Sequence, residues 1–176
     1  KLCSIDLKNR PITKKTRYVD SSYMRKMFEV YEMDDSPIDK EEERKIISII
    51  KKNITKVDLI IVTDFGHGLL SKKIIEEISK FKVFLAVNAQ TNSANRGYNL
   101  ITKYRAADYI CIDEPEFRLA MHDKNSSLEK LLTNTEKLPK AKIFIVTTGK
   151  NGCLLKINNK IIKIPAFTNK VVDTIG

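Results

Sequence analysis

Short, nearly continuous apolar runs at 57–63, 83–87, 108–112 and 143–147 constrain this chain more than any other feature. Each has the length of a strand, and the run at 57–63, apolar at almost every position rather than at alternate ones, has the pattern of a parallel strand covered on both faces. Helical stretches fall between the runs. Asp39 is placed to cap a charged helix over 40–52, whose Ile46, Ile47, Ile49 and Ile50 form one apolar stripe. Ser71 precedes a helix over 72–80, Asp113 and Pro115 open one reaching 117–121, and another spans 128–136. The runs at 153–157 and 161–164 form a hairpin around Asn158-Asn159. Strand and helix alternating and then closing in a hairpin predict an α/β fold with a mostly parallel sheet. Ahead of it, 12–32 reads as two strands joined by Asp20-Ser21-Ser22, a small β portion distinct from the α/β core of 39–176.

At 176 residues the chain has the length of about one domain. No apolar run approaches the roughly 20 residues that span a bilayer, and the first residues lack a signal-peptide core, so no membrane partner and a cytoplasmic location are expected. Cys3, Cys111 and Cys153 are odd in number and unpaired in spacing, which points to reduced intracellular thiols rather than a zinc site, with Cys111 as a core filler. The formal net charge of +10 comes from lysines interleaved with acids. That describes a solvated basic surface rather than a nucleic-acid footprint, and it suits small anionic substrates.

In a parallel α/β sheet, ligands bind beyond the carboxyl ends of the strands, so the loops there are the candidate site. The first is Asp64-Phe65-Gly66-His67-Gly68, with two glycines that admit close backbone approach and a histidine without an identifiable partner. The second, 88–99, is rich in amides, a composition suited to hydroxyl recognition. Asp113 and Glu116 follow the third strand, either as a helix cap or as holders of hydrated Mg²⁺. At the far end Val171-Val172 run into Asp173-Thr174-Ile175-Gly176, either an ordinary strand-to-turn junction or the start of a phosphate-handling turn. Lys15 and Arg17 lie on the small β portion, in solvent or against an anionic substrate.

Taken in order, these loops resemble those of the ribokinase-like (PfkB) carbohydrate kinases over nearly the whole chain, most closely the branch that includes heptose phosphate kinases. Lys15-Thr16-Arg17 resembles that branch's Lys-Thr-Arg strand, and Asp64-Phe65-Gly66-His67-Gly68 its Asp-Tyr-Gly-Lys-Gly loop. Asp113-Glu114-Pro115-Glu116 stands at the place of Asn-x-x-Glu, Thr147-Thr148-Gly149-Lys150-Asn151-Gly152 resembles Thr-x-Gly-x-x-Gly, and Asp173-Thr174-Ile175-Gly176 the start of Asp-Thr-x-Gly-Ala-Gly-Asp. Asn88-Ala89-Gln90 stands where the branch has Asp-Pro-Lys.

The resemblance implies a three-layer α/β/α fold, partial over these residues, and transfer of the γ-phosphoryl group of ATP to a hydroxyl of a sugar or sugar phosphate. It implies Gly176 in the anion hole, and Thr147, Thr148, Gly149 and Gly152 along the nucleotide. Asp113 and Glu116 would organise Mg²⁺, and Asp173 would border a K⁺ site. Acceptor contacts would come from Lys15, Arg17, Asp64, Gly66, Asn88 and Gln90. The family's general base is the last Asp of its final motif, so the fragment alone is expected to be inactive. A homodimer and a fused nucleotidyltransferase domain are the partners expected. The alternative is a non-catalytic, kinase-like module that binds nucleotide or sugar.

Overall fold

The computed structural model describes residues 4–5, 7, 10–23, 25–92, 95–134 and 136–168. Cys3, the expected strand at 171–172 and the turn carrying Asp173 and Gly176 lie outside the described residues. Strands β1 (Lys14–Asp20) and β2 (Arg25–Glu32) pair antiparallel as a separate two-stranded ribbon. Helix α1 (Lys40–Asn53) follows, opened by Asp39, whose carboxylate accepts from the backbone of Glu41 and Glu42 while Glu42 reaches back to the Asp39 N–H. This reciprocal cap satisfies donors that the helix itself cannot.

Among the described residues the main sheet has six strands in chain order. β3 (Leu59–Asp64), β4 (Phe84–Ala89), β5 (Ala106–Asp113) and β6 (Lys140–Thr147) are parallel, and β7 (Cys153–Ile157) and β8 (Lys160–Ile164) complete it antiparallel. Helices α2 (Lys72–Ile78), α3 (Glu114–Met121) and α4 (Leu128–Thr133) interleave with the strands. The Ser71 hydroxyl accepts from Ile74 N–H and Asp113 accepts from Glu116 N–H, as caps read from the sequence. Helix α4 begins at 128 as expected, ends short of 136, and is capped by Ser127, which the sequence reading did not single out and which accepts from Lys130 N–H. The mostly parallel α/β sheet expected from the apolar runs is therefore present, with its closing hairpin. Among the described residues, no helix is long and apolar enough to cross a membrane.

Strand register puts the core on one face of this sheet. Val62, Leu85, Val87, Ile110, Ile112, Phe144, Val146 and Leu154 are all buried and occupy matched positions across neighbouring strands. The apolar sides of the helices meet them there. The Phe117 ring of α3 lies 5.7 Å from that of Phe144, and Ile46 and Ile47 of α1, with Ile74, Ile75 and Ile78 of α2, join the same cluster. Full burial of each such side chain contributes about 1.5–3 kcal/mol.

The other face corrects the reading of 57–63 as a strand covered on both sides. Among the described residues β3 is the edge of the sheet, with Leu59 46% and Ile61 66% exposed, and Phe84 beside them on β4 is 41% exposed. A continuous apolar run states that both sides of a strand are apolar, not that a cover for both lies within the described residues. Cys111 belongs to this second face and is half-buried, so it is not the core filler expected; burial still pushes its thiol pKa up.

The two faces predict different costs for substitution. Leu132→Ala, at a fully buried position, should lower unfolding free energy by roughly 2–5 kcal/mol. Ile61→Thr should change it by no more than about 0.5 kcal/mol. Urea unfolding followed by circular dichroism checks both, and equal losses would mean that the second face is packed in solution.

Candidate functional site

The parallel strands deliver their carboxyl ends to one rim. Asp64 of β3 is level with Ala89 of β4, and Asp113 of β5 with Thr147 of β6, so four of the five loops singled out in the sequence, those beginning at Asp64, Asn88, Asp113 and Thr147, follow one another along it. This is where an open α/β sheet leaves a crevice for ligands.

The first two loops are tied together by a buried carboxylate. Asp64 is 3% exposed, and its side chain accepts from Tyr104 Oη at 2.6 Å, Gly66 N at 3.0 Å and Asn99 Nδ2 at 3.4 Å. Lys103 Nζ completes the set as an ion pair. Burial, then the charge of Asp64 and the bond donated to it, raises the Tyr104 pKa far above the ordinary phenol range, so that hydroxyl remains a donor throughout the accessible pH range. Gly66 has φ +71°, and a β-carbon there would fall 2.3 Å from Asn95 Nδ2, so glycine is needed both for the turn and for the close approach.

The amide-rich loop was read as suited to hydroxyl recognition, yet several of its amides bond inward. Asn99 Nδ2 donates to the carbonyls of Asp64 at 2.9 Å and Gln90 at 3.0 Å, and Asn95 Nδ2 donates to Phe65 O at 2.9 Å. These amides serve the backbone of the two loops. His67, without a visible partner in the sequence, has its Nε2 3.4 Å from Asn92 Nδ2. Asn88 donates to Cys111 O at 2.8 Å, bridging β4 and β5, while the Gln90 side chain is exposed.

Asp113 and Glu116 form a capping box at the start of α3, with Glu116 Oε2 accepting from Asp113 N at 3.0 Å. Glu116 Oε1 accepts from Thr91 N at 2.9 Å, so one carboxylate fastens the third loop to the second. Burial raises the Glu116 pKa, the Asp113 and Thr91 N–H groups oppose the shift, and the neighbouring Asp113 charge adds to it. Asp113 itself is exposed. In the fourth loop, Thr148 closes a turn with both its N–H (2.8 Å) and its hydroxyl (2.9 Å) on Gly152 O. Gly152 packs against the β8 end, where a β-carbon would meet Ile164 O at 2.0 Å. Thr147 and Gly149 remain exposed, with open space around Gly149.

Lys15 and Arg17 stand on the ribbon, where both pair with Glu29, Arg17 Nε at 2.7 Å and Lys15 Nζ at 3.4 Å, and Lys26 joins at 3.3 Å. Three cations thus surround one carboxylate. Sequence reading missed Glu29 and Lys103. Glu29 is legible only once the ribbon register sets it opposite Arg17. Lys103 carries no local signal toward Asp64.

The sequence pattern of the family described as pfkB family carbohydrate kinase matches residues 3–176. The bifunctional protein HldE of Aliarcobacter butzleri is 27% identical over 172 residues, which are 96% of this chain and 35% of that protein. The chain thus spans about a third of the length of that curated relative. Among solved structures, ribokinase from Thermotoga maritima matches with a TM-score of 0.63 at 18% identity, covering 94% of this chain and 52% of that one. Phosphofructokinase-2 from Escherichia coli in complex with potassium matches with a TM-score of 0.64 at 10% identity, over 89% of this chain and 50% of that one. The fold is ribokinase-like, as the order of the loops implied.

The ribbon cluster has a pH signature. Desolvation pushes the Glu29 carboxyl up, but bonds from Tyr31, Lys26, Arg17 and Lys15 outweigh it and hold the pKa at about 2. Because the folded value lies below the unfolded one, the stabilisation is complete above the unfolded pKa of about 4.3 and is lost as pH falls through the folded value. A carbon-detected NMR titration of the Glu29 carboxyl should show its midpoint near 2; a midpoint in the ordinary glutamate range would mean that the cations do not engage it.

Proposed function

This chain belongs to the pfkB family of carbohydrate kinases, and from that premise we propose that it forms part of an ATP-dependent kinase acting on a hydroxyl of a sugar or sugar phosphate. The observation that carries the reading is the single rim at which the four loops meet, at the strand ends where such a sheet binds ligands. Phosphoryl transfer asks a protein chiefly for positioning and charge stabilisation, and this rim offers fixed backbone turns and charged groups.

In this reading the nucleotide lies along Thr147–Gly152. The donor set fits, because Gly149 is exposed with open space above it while Thr148 and Gly152 lock the turn beneath. Mg²⁺ usually keeps most of its waters and takes one or two carboxylates together with substrate phosphates. Exposed Asp113, oriented by buried Glu116, suits that arrangement through water. ATP would supply the phosphoryl group and the cation would neutralise its oxygens. A K⁺ ion beside Asp173 and an anion hole at Gly176 belong to the same proposal.

The acceptor side is the Asp64–Gly68 loop, with Asn88 and Gln90 next to it and Lys15 and Arg17 contributed by the ribbon. The gathering of Lys15, Arg17 and Lys26 on the ribbon favours an acceptor that already carries a phosphate. We extend to this protein the bifunctional character named for its HldE relatives, as a fused nucleotidyltransferase domain, and we include a homodimer and a cytoplasmic location in the proposal.

The test is acceptor-dependent formation of ADP by the full polypeptide containing these residues, with Mg·ATP and a panel of hexoses, heptoses and their monophosphates. Turnover should be highest with a phosphorylated sugar. Nucleotide binding without transfer to any acceptor would make the protein a binding module instead. Separately, Gly149→Asp should weaken Mg·ATP binding in calorimetry by about tenfold or more, since like charges in a site repel; unchanged affinity would remove the nucleotide from this loop.

A further inference from the structure

We propose that Lys103 is a positioning residue for the acceptor side of the site, holding the Asp64–Gly68 loop in shape by neutralising Asp64 from beneath. A carboxylate buried as deeply as Asp64 is tolerated only when paired and fully hydrogen-bonded. Lys103 Nζ is the cation recorded against it among the described residues, and the same ammonium donates to Asn99 Oδ1 at 2.5 Å. Lys103 thus contacts both the carboxylate that shapes the first loop and the amide that binds the second.

Asp64 transmits this hold. Its Oδ1 accepts from Gly66 N at 3.0 Å, fixing the turn at its glycine. That turn is packed tightly against Asn95 and Asn99, and Asn95 Nδ2 holds the Phe65 carbonyl. His67 comes next and meets Asn92. On the other side Gly68 O accepts from Ile38 N at 3.2 Å, and the Gly68 α-carbon lies against the Ser36 backbone, where the chain leaves the ribbon for α1. Without the ammonium, Asp64 becomes a buried charge without its counter-ion and must swing away or draw in water. Either change releases the turn and moves His67 and Gly68 together. The proposed nucleotide loop follows β6, three places along the sheet from β3, and shares none of these bonds.

This inference rests on the reading of the Asp64–Gly68 loop as the acceptor wall, and its test separates the two. Lys103→Met, Lys103→Arg and the doubly neutral Asp64→Asn/Lys103→Met are compared with wild type in the full polypeptide. In Lys103→Met, amide hydrogen exchange of a peptide covering 65–68 should be about tenfold faster, with exchange at Ile110–Ile112 unchanged. The acceptor KM should rise about tenfold while that for ATP stays within about twofold. Lys103→Arg should restore both readouts to within about threefold of wild type. Unchanged exchange at 65–68, or acceptor and ATP KM values rising together, overturns the proposal. If Lys103→Met does not fold, the double variant decides. With no unpaired charge its exchange should return to within about threefold of wild type, whereas persistent loosening would mean that Lys103 acts through its aliphatic stem and not its charge. A wild-type polypeptide that phosphorylates no acceptor refutes the kinase reading and leaves the exchange comparison to decide the role of Lys103.

Discussion

The shape of the rim follows from one carboxylate that cannot reach water. Asp64 ends β3 beneath two loops, where an ion without partners would be too costly to keep. Its oxygens are met by a phenol, an ammonium, a side-chain amide and a backbone N–H, drawn from both sides of the amide-rich loop. Because these donors sit on separate segments, satisfying Asp64 assembles the segments. Glu116 repeats the device two strands further along, accepting from Thr91 and Asp113 and so joining the second loop to the third. Two inward-facing acids thus convert a row of loops into a connected surface.

The ribbon uses charge differently. The Glu29 side chain is 11% exposed while its cations reach water, and among the described residues no core lies beneath β1 and β2, where Tyr18 and Phe28 stack at 4.4 Å between rings yet are both about half exposed. The sheet is held by burial and the ribbon by pairing. Two parts of one chain therefore respond to different solvents, the sheet to agents that weaken apolar burial and the ribbon to salt and acid.

Local chemistry was legible in the sequence. Apolar runs gave the strands, and Asp39, Ser71 and Asp113 gave the helix starts, because each acts on residues within one turn of itself. The order of the loops was enough for the family. What could not be read was nonlocal. Tyr104 is 40 residues from Asp64, and nothing near either names the other. The amides of 92–99 looked available to a ligand because composition does not say which way an amide points; three-dimensional packing turns Asn95 and Asn99 toward backbone carbonyls. The same limit applies to β3, whose sequence reveals two apolar sides but not which one the helices take.

That two-sided character leaves β3 without the usual guard on its alignment. Alternation ordinarily forbids a one-residue slip, since sliding the strand turns its apolar side chains into water. In β3, moving Ile61 into the place of Val62 exchanges one apolar side chain for another beneath the helices, and hydrophobicity hardly distinguishes the two. The end of the strand does distinguish them. A shift by one would swing Asp64 to the opposite face, away from Tyr104 and Lys103, and strand both a phenol and an ammonium without their acceptor. The carboxylate therefore works as an index mark, selecting one alignment from several that the greasy part of the strand would accept equally well.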